Sequence, residues 1–156
     1  MVKQVGRRFV RIMANKIFLW LGLASMLACD GTSNRHPVPY VFVNESVFVN
    51  SPSAYDLQFV GGTHVRTDWG HGGLVIYRRT NFGDALDFGA YDLRCPNHVS
   101  MPCGASTVVD GLYAECGCDN QRFLLFDGSA IDGTTTWGLL PYQVQYDGVR
   151  LTVSNL

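Results

Sequence analysis

Lysine is nearly absent from this 156-residue chain: Lys3 and Lys16 are the only two, and everything after them does without it. An acidic excess accompanies the gap. Five of the 12 Lys and Arg residues and none of the 13 Asp and Glu fall within residues 1–28, which leaves 7 against 13 in the remainder, a net charge of −6. Nucleic-acid binding needs a basic footprint to neutralise phosphates, so that class is excluded. No Gly-x-Ser-x-Gly elbow occurs, which leaves a serine hydrolase of the α/β type unsupported. No stretch after Cys29 has a convincing helical period, and the longest charge-free apolar run falls short of the ~20 residues that span a bilayer comfortably.

What stands at the start is an export signal. Lys3, Arg7, Arg8, Arg11 and Lys16 form a basic run, and Ile17–Ala28 follows as twelve residues without a charge. Met26-Leu27-Ala28-Cys29 resembles the lipobox of bacterial lipoproteins, with Met26 where leucine is usual. The resemblance implies cleavage of a signal peptide 1–28, lipidation of Cys29, and a membrane-anchored protein on the periplasmic or surface side of the envelope. Residues 29–39, including the polar stretch Asp30–Arg35, then read as a flexible tether that carries His36. Two alternatives stand beside this: ordinary cleavage near Cys29 that releases a soluble protein, and an uncleaved anchor. Asn44-Glu45-Ser46 has glycosylation spacing, which a bacterial signal makes incidental.

About 128 residues remain, one domain with enough chain to bury a core. Short β-branched and aromatic runs alternate with Gly, Asn, Asp and Pro, and predict an all-β fold, a small antiparallel sandwich or barrel over 40–156. Tyr40–Val43, Val47–Val49 and Tyr55–Phe59 are predicted strands, the last with Tyr55, Leu57 and Phe59 on one face. Gly73–Tyr77 is a continuous apolar run, as expected of a strand buried on both sides. Asp87–Leu93 leads directly into Cys95. Asp110-Gly111 and Asp147-Gly148 each separate two strand candidates and predict hairpins.

Setting Cys29 aside leaves Cys95, Cys103, Cys116 and Cys118, an even number in an oxidising compartment, where disulfides are the default. Two short segments hold them: Cys95-Pro96-Asn97-His98 with Cys103, and Cys116-Gly117-Cys118-Asp119. Gln121-Arg122-Phe123, Asp127-Gly128, Leu140-Pro141-Tyr142, Val144 and Asp147-Gly148 follow. From about 72 to 153 this order resembles the Rieske iron–sulfur domain, in which two cysteines hold one iron of a [2Fe–2S] cluster and two histidines the other. The resemblance places Cys95 and Cys116 at the cluster-binding cysteines, and Cys103 and Cys118 at the disulfide that clips the two loops together in the respiratory type. It places Asn97 and Asp119 where the histidines stand, with His98 one residue late. Carboxylate adds a fixed negative charge and suits iron–sulfur iron poorly, and an amide is a poor ligand outright.

Three readings compete on this ligand set. In the first, no cofactor binds, and Cys103 pairs with Cys118 and Cys95 with Cys116. In the second, a cluster persists on Cys95, His98, Cys116 and Asp119, and the chain carries electrons. In the third, one divalent ion such as zinc sits among Cys95, His98 and two further cysteines, although the single residue between Cys116 and Cys118 is tighter than zinc-site spacing. The first leads, and with it a structural or interaction role at the cell envelope rather than an enzymatic one; no protein or redox partner is implied by name.

Elsewhere, His64 and His71 bracket a segment containing Asp68 and read as solvated loop histidines. Arg78-Arg79 reads as a solvent-facing strand end that could attract an anion. Trp69, Trp137, Tyr77 and Tyr142 read as core.

Overall fold

The computed structural model describes residues 35–131 and 135–155. The signal segment 1–28, Cys29 and the first part of the tether lie outside the described residues. The folded unit begins at His36. Of the stretch read as tether, His36 accepts the Val38 N–H on Nδ1 at 3.2 Å, brings its Nε2 to the Gly138 carbonyl at 2.9 Å and stands edge-on to Trp137. Val38 is fully buried.

The described residues form nine strands: β1 (Asn44–Phe48), β2 (Thr63–Arg66), β3 (Leu74–Arg78), β4 (Phe88–Asp92), β5 (Ser106–Val109), β6 (Tyr113–Cys116), β7 (Arg122–Leu124), β8 (Gln143–Tyr146) and β9 (Arg150–Ser154). They make three antiparallel three-stranded sheets, ordered β1-β9-β8, β2-β3-β4 and β5-β6-β7. Among the described residues the only helical elements are short 3₁₀ segments at Pro52–Gln58 and Ala85–Asp87, and the sheets do not close into a barrel. The all-β expectation holds.

The β2-β3-β4 sheet lies between two apolar clusters, and strand alternation explains how. Side chains of a strand point to opposite faces in turn. Leu74 and Ile76 of β3, with Phe88 and Ala90 of β4, enter a cluster with Val47, Leu57, Leu151 and Val153. Val75 and Tyr77, with Tyr91 and Leu93, enter a second cluster with Cys95, Ala114, Cys116, Phe123 and Leu125. Every residue of β3 and β4 is therefore buried, which is what the unbroken apolar run Gly73–Tyr77 required.

Both expected hairpins form. Asp110 and Gly111 adopt φ of 53° and 64° between β5 and β6, the left-handed pair that such a turn needs, and Leu112 N–H closes it on the Val109 carbonyl. Gly148, at φ 95°, turns β8 into β9 while Asp147 Oδ1 accepts from Val149 N and Arg150 N.

Two expected strands do not form. Tyr55–Phe59 belongs to the 3₁₀ segment that Pro52 opens with its pre-set φ. The segment kinks at Ala54, whose backbone is non-helical, and Ala54 and Leu57 are buried while Tyr55 and Phe59 stack edge-to-face in solvent. Full burial of Leu57 contributes roughly 1.5–3 kcal/mol. Tyr40–Val43 runs outside the ladder: Val43 is held through Asn155, whose Oδ1 accepts from Val43 N at 3.0 Å and whose own N–H donates to Val43 O at 3.2 Å. The ladder begins one residue later, at Asn44 opposite Ser154.

Candidate functional site

The two cysteine-bearing loops leave the sheets side by side: 93–105 between β4 and β5, and 117–121 between β6 and β7. The first is fixed at its base by Asp92, a fully buried carboxylate with no cation beside it. Four donors satisfy it: His71 N at 2.6 Å, Gly72 N at 2.9 Å, Arg94 N at 2.8 Å and the Tyr142 hydroxyl at 3.0 Å. Burial and then the neighbouring carboxylate raise the Tyr142 phenol far above its usual range, which keeps it a donor.

Above that base the loop coils on itself. Cys95 N bonds Gly104 O at 2.8 Å, His98 N bonds Cys95 O at 3.1 Å and Met101 N bonds His98 O at 3.1 Å. Arg94 reaches across with its guanidinium, donating to the Val99 carbonyl and, at 2.7 Å, to the Met101 carbonyl. Glycine is required at 104, because a Cβ there would lie 2.0 Å from the His98 carbonyl oxygen. The second loop is shorter. Asn120, at φ 57°, and the Cys116 N–H to Gln121 O bond at 2.9 Å turn it, and Gly117 N donates to Ala105 O across to its neighbour at 3.2 Å.

The four side chains that the cluster-retaining reading takes as ligands meet here in pairs. Cys95 and Cys116 are joined in a disulfide, 2.12 Å between sulfurs, and each is 1% exposed within the second apolar cluster. Ser106 Oγ lies 3.3 Å from Cys95 Sγ. His98 Nε2 lies 2.8 Å from Asp119 Oδ2. Asp119 Oδ1 accepts from Gln121 N at 3.1 Å. Burial pushes the Asp119 carboxyl up, but the Gln121 amide and His98 outweigh that and hold it below the usual carboxylate value. Cys103 and Cys118 form a second disulfide, 2.17 Å between sulfurs. Cys103 is exposed and Cys118 half-buried, while Asn97 points to solvent.

As disposed, these donors do not fit a two-iron cluster or a single metal ion. Both inner sulfurs are spent on each other, so neither offers a thiolate; His98 meets Asp119 through Nε2, while its Nδ1 is buried without a hydrogen-bond partner. Among the described residues, no group of three or more His, Cys, Asp or Glu side chains is placed to hold a metal ion.

Other residues singled out from sequence fall elsewhere. His64 lies in β2 opposite Ile76 rather than in a loop; burial first, then Arg66, lowers its pKa against opposing effects of Ser53 and Asp56. Asp68 pairs with Arg66 at 2.8 Å and not with a histidine, and His71 is exposed. Arg78 is not solvent-facing: it is 4% exposed, stacks on Phe88 and donates to Thr80 O, Asn81 Oδ1, Leu57 O and Asp87. Asp87, fully buried, also accepts from Thr80 Oγ1, Phe82 N and Gly83 N. Burial alone would raise its carboxyl, yet these bonds and the Arg78 charge bring it to about 2. Arg79 donates to the Tyr91 hydroxyl at 2.6 Å. Trp69, Tyr77 and Tyr142 are buried, and Trp137 is half-buried.

Sequence reading missed Asp92, Arg94 and Ser106 as builders of the loops. Only the position of Asp92 and Arg94 immediately before Cys95 could have signalled the first two. Compared with known proteins, the chain matches no family model and no curated protein.

Proposed function

We propose that this chain is an exported lipoprotein, anchored through Cys29, whose β domain carries a Rieske-like pair of loops without a cluster and serves a structural or interaction role at the cell envelope. The observation that supports it is the pairing of Cys95 with Cys116 in a disulfide, which spends both sulfurs that would hold a cluster, beside the contact of His98 Nε2 with Asp119. Oxidised cross-links suit an exported chain, and the acidic, lysine-free body is consistent with life outside a nucleic-acid-rich compartment.

Anaerobic purification of the mature protein tests the reading. The expected preparation is colourless, free of stoichiometric iron and acid-labile sulfide, with no thiol that reacts before reduction. Visible absorption bands with two irons per chain would overturn it in favour of an electron carrier with altered ligands. Cys29→Ser is expected to release the protein from membranes and leave its fold unchanged; unchanged membrane association would remove the lipid anchor from the proposal.

A further inference from the structure

The two disulfides join the same two loops yet stand in different surroundings. The inner one is buried among Val75, Tyr91, Leu93 and Phe123. The outer one faces solvent at Cys103, next to exposed Pro102 and a half-exposed Met101. Exchange between a thiol and a disulfide requires the attacking thiolate to reach a sulfur, so access decides which bond reacts. We infer that Cys103–Cys118 is a reversible thiol–disulfide exchange site open to an external dithiol, while Cys95–Cys116 is a fixed cross-link. This rests on the cluster-free reading, since a cluster would require Cys95 and Cys116 as thiolates.

The step balances with a dithiol of another exported protein, or a small dithiol, as reductant. Its thiolate attacks Sγ of Cys103, the more exposed residue of the two, and the Cys103–Cys118 bond breaks with Cys118 leaving as thiolate. The second thiol of the reductant then attacks the mixed disulfide and releases Cys103. Two electrons and two protons pass to the chain, which ends with two thiols, and the reductant ends as a disulfide.

Three features let the outer bond open without loss of the fold. The inner disulfide still joins the loops. The Gly117 N–H to Ala105 O bond still links them through the backbone. His98 and Asp119 still pair across them. That last contact also serves the chemistry. Asp119 follows Cys118 directly, and a free carboxylate there would repel both an incoming thiolate and the departing one. With Oδ2 against His98 Nε2 and Oδ1 accepting from Gln121 N, the carboxylate is fixed in one orientation relative to the disulfide. His98 is thus a positioning residue for the exchange.

The test uses the intact purified protein in dithiothreitol redox buffers of increasing reducing strength, with iodoacetamide quenching, peptide mapping and iron analysis of the same sample. The expected result is labelling of Cys103 and Cys118 alone over at least a tenfold range of the dithiol-to-disulfide ratio, with near-ultraviolet circular dichroism unchanged and Cys95–Cys116 intact. Simultaneous labelling of all four, labelling of Cys95 and Cys116 first, or no labelling short of denaturation would overturn the inference. Iron in the sample would instead defeat the reading beneath it. His98→Gln is expected to slow reduction by glutathione several-fold and to leave reduction by an uncharged phosphine unchanged. Equal effects on both reductants would remove His98 from the role.

Discussion

The apolar clusters on the two faces of the β2-β3-β4 sheet are assembled by different means. On one face the ends of the folded chain meet: β1 pairs with β9, Val47 with Leu151, and aliphatic and aromatic side chains fill the space behind them. Ladder hydrogen bonds and apolar burial order most of that face, and one buried ion pair, Arg78 with Asp87, adds to them beside Phe88. On the other face two irregular loops approach each other, and cross-links do what a ladder cannot. Cys95 and Cys116 serve at once as apolar filling and as a covalent tie. Where backbone geometry is irregular, covalent and side-chain bonds have to replace the cooperative ladder.

Removing a buried charge on the ladder-built side should have the largest effect. Asp87→Ala leaves Arg78, Thr80 and the amides of Phe82 and Gly83 without their acceptor, and is expected to cost about 3–5 kcal/mol, read as a lower urea midpoint at unchanged slope. A loss under about 1 kcal/mol would mean that apolar packing alone sustains this face.

On the loop side, the double substitution Cys95→Ala and Cys116→Ala should cost about 3 kcal/mol, as expected for a loop of this size. The pair Cys103→Ala and Cys118→Ala should cost distinctly less, since Cys103 and Cys118, unlike Cys95 and Cys116, are not buried in apolar space. Equal losses would erase the graded roles assigned to the two cross-links.

Acid separates the faces more gently. The Asp87 carboxyl is protonated at about 2 in the folded protein and near 3.9 in the unfolded chain. A depressed carboxyl contributes stability that is complete above the unfolded value and disappears as pH falls through the folded one. The thermal midpoint should therefore hold level above about pH 5 and fall between about pH 4 and pH 2, with the fall reduced in Asp87→Asn. An undiminished fall in that variant would shift the cause to other carboxylates, Asp119 in the loops first among them.

The smallest effect belongs to the exposed Arg66–Asp68 pair. Asp68→Asn should shift the urea midpoint barely if at all, and rising salt should remove any difference.

Much of this architecture was legible in the residues. The unbroken apolar run at Gly73–Tyr77 announced a doubly covered strand, and Asp110-Gly111 and Asp147-Gly148 announced their turns, because the chemistry of each is local. Tyr55–Phe59 misled for the same reason: its alternation is real, but Pro52, outside that window, opens a 3₁₀ segment that buries Leu57 and leaves Tyr55 and Phe59 in solvent. Arg78 and His64 were misplaced because nothing near them in sequence reveals Asp87 or the β3 strand as their neighbours.

By itself, then, the sequence determined the all-β class, the hairpins and the presence of four cysteines in two short segments, since each depends on composition or on contacts a few residues apart. Only the tertiary structure decided which sulfurs bond, which pair is buried, and that His98 meets Asp119 from 21 residues away. Those outcomes depend on where Asp92, Arg94 and Gly104 anchor the loops in space, and such long-range closeness arises when strands far apart in the chain pack on one sheet.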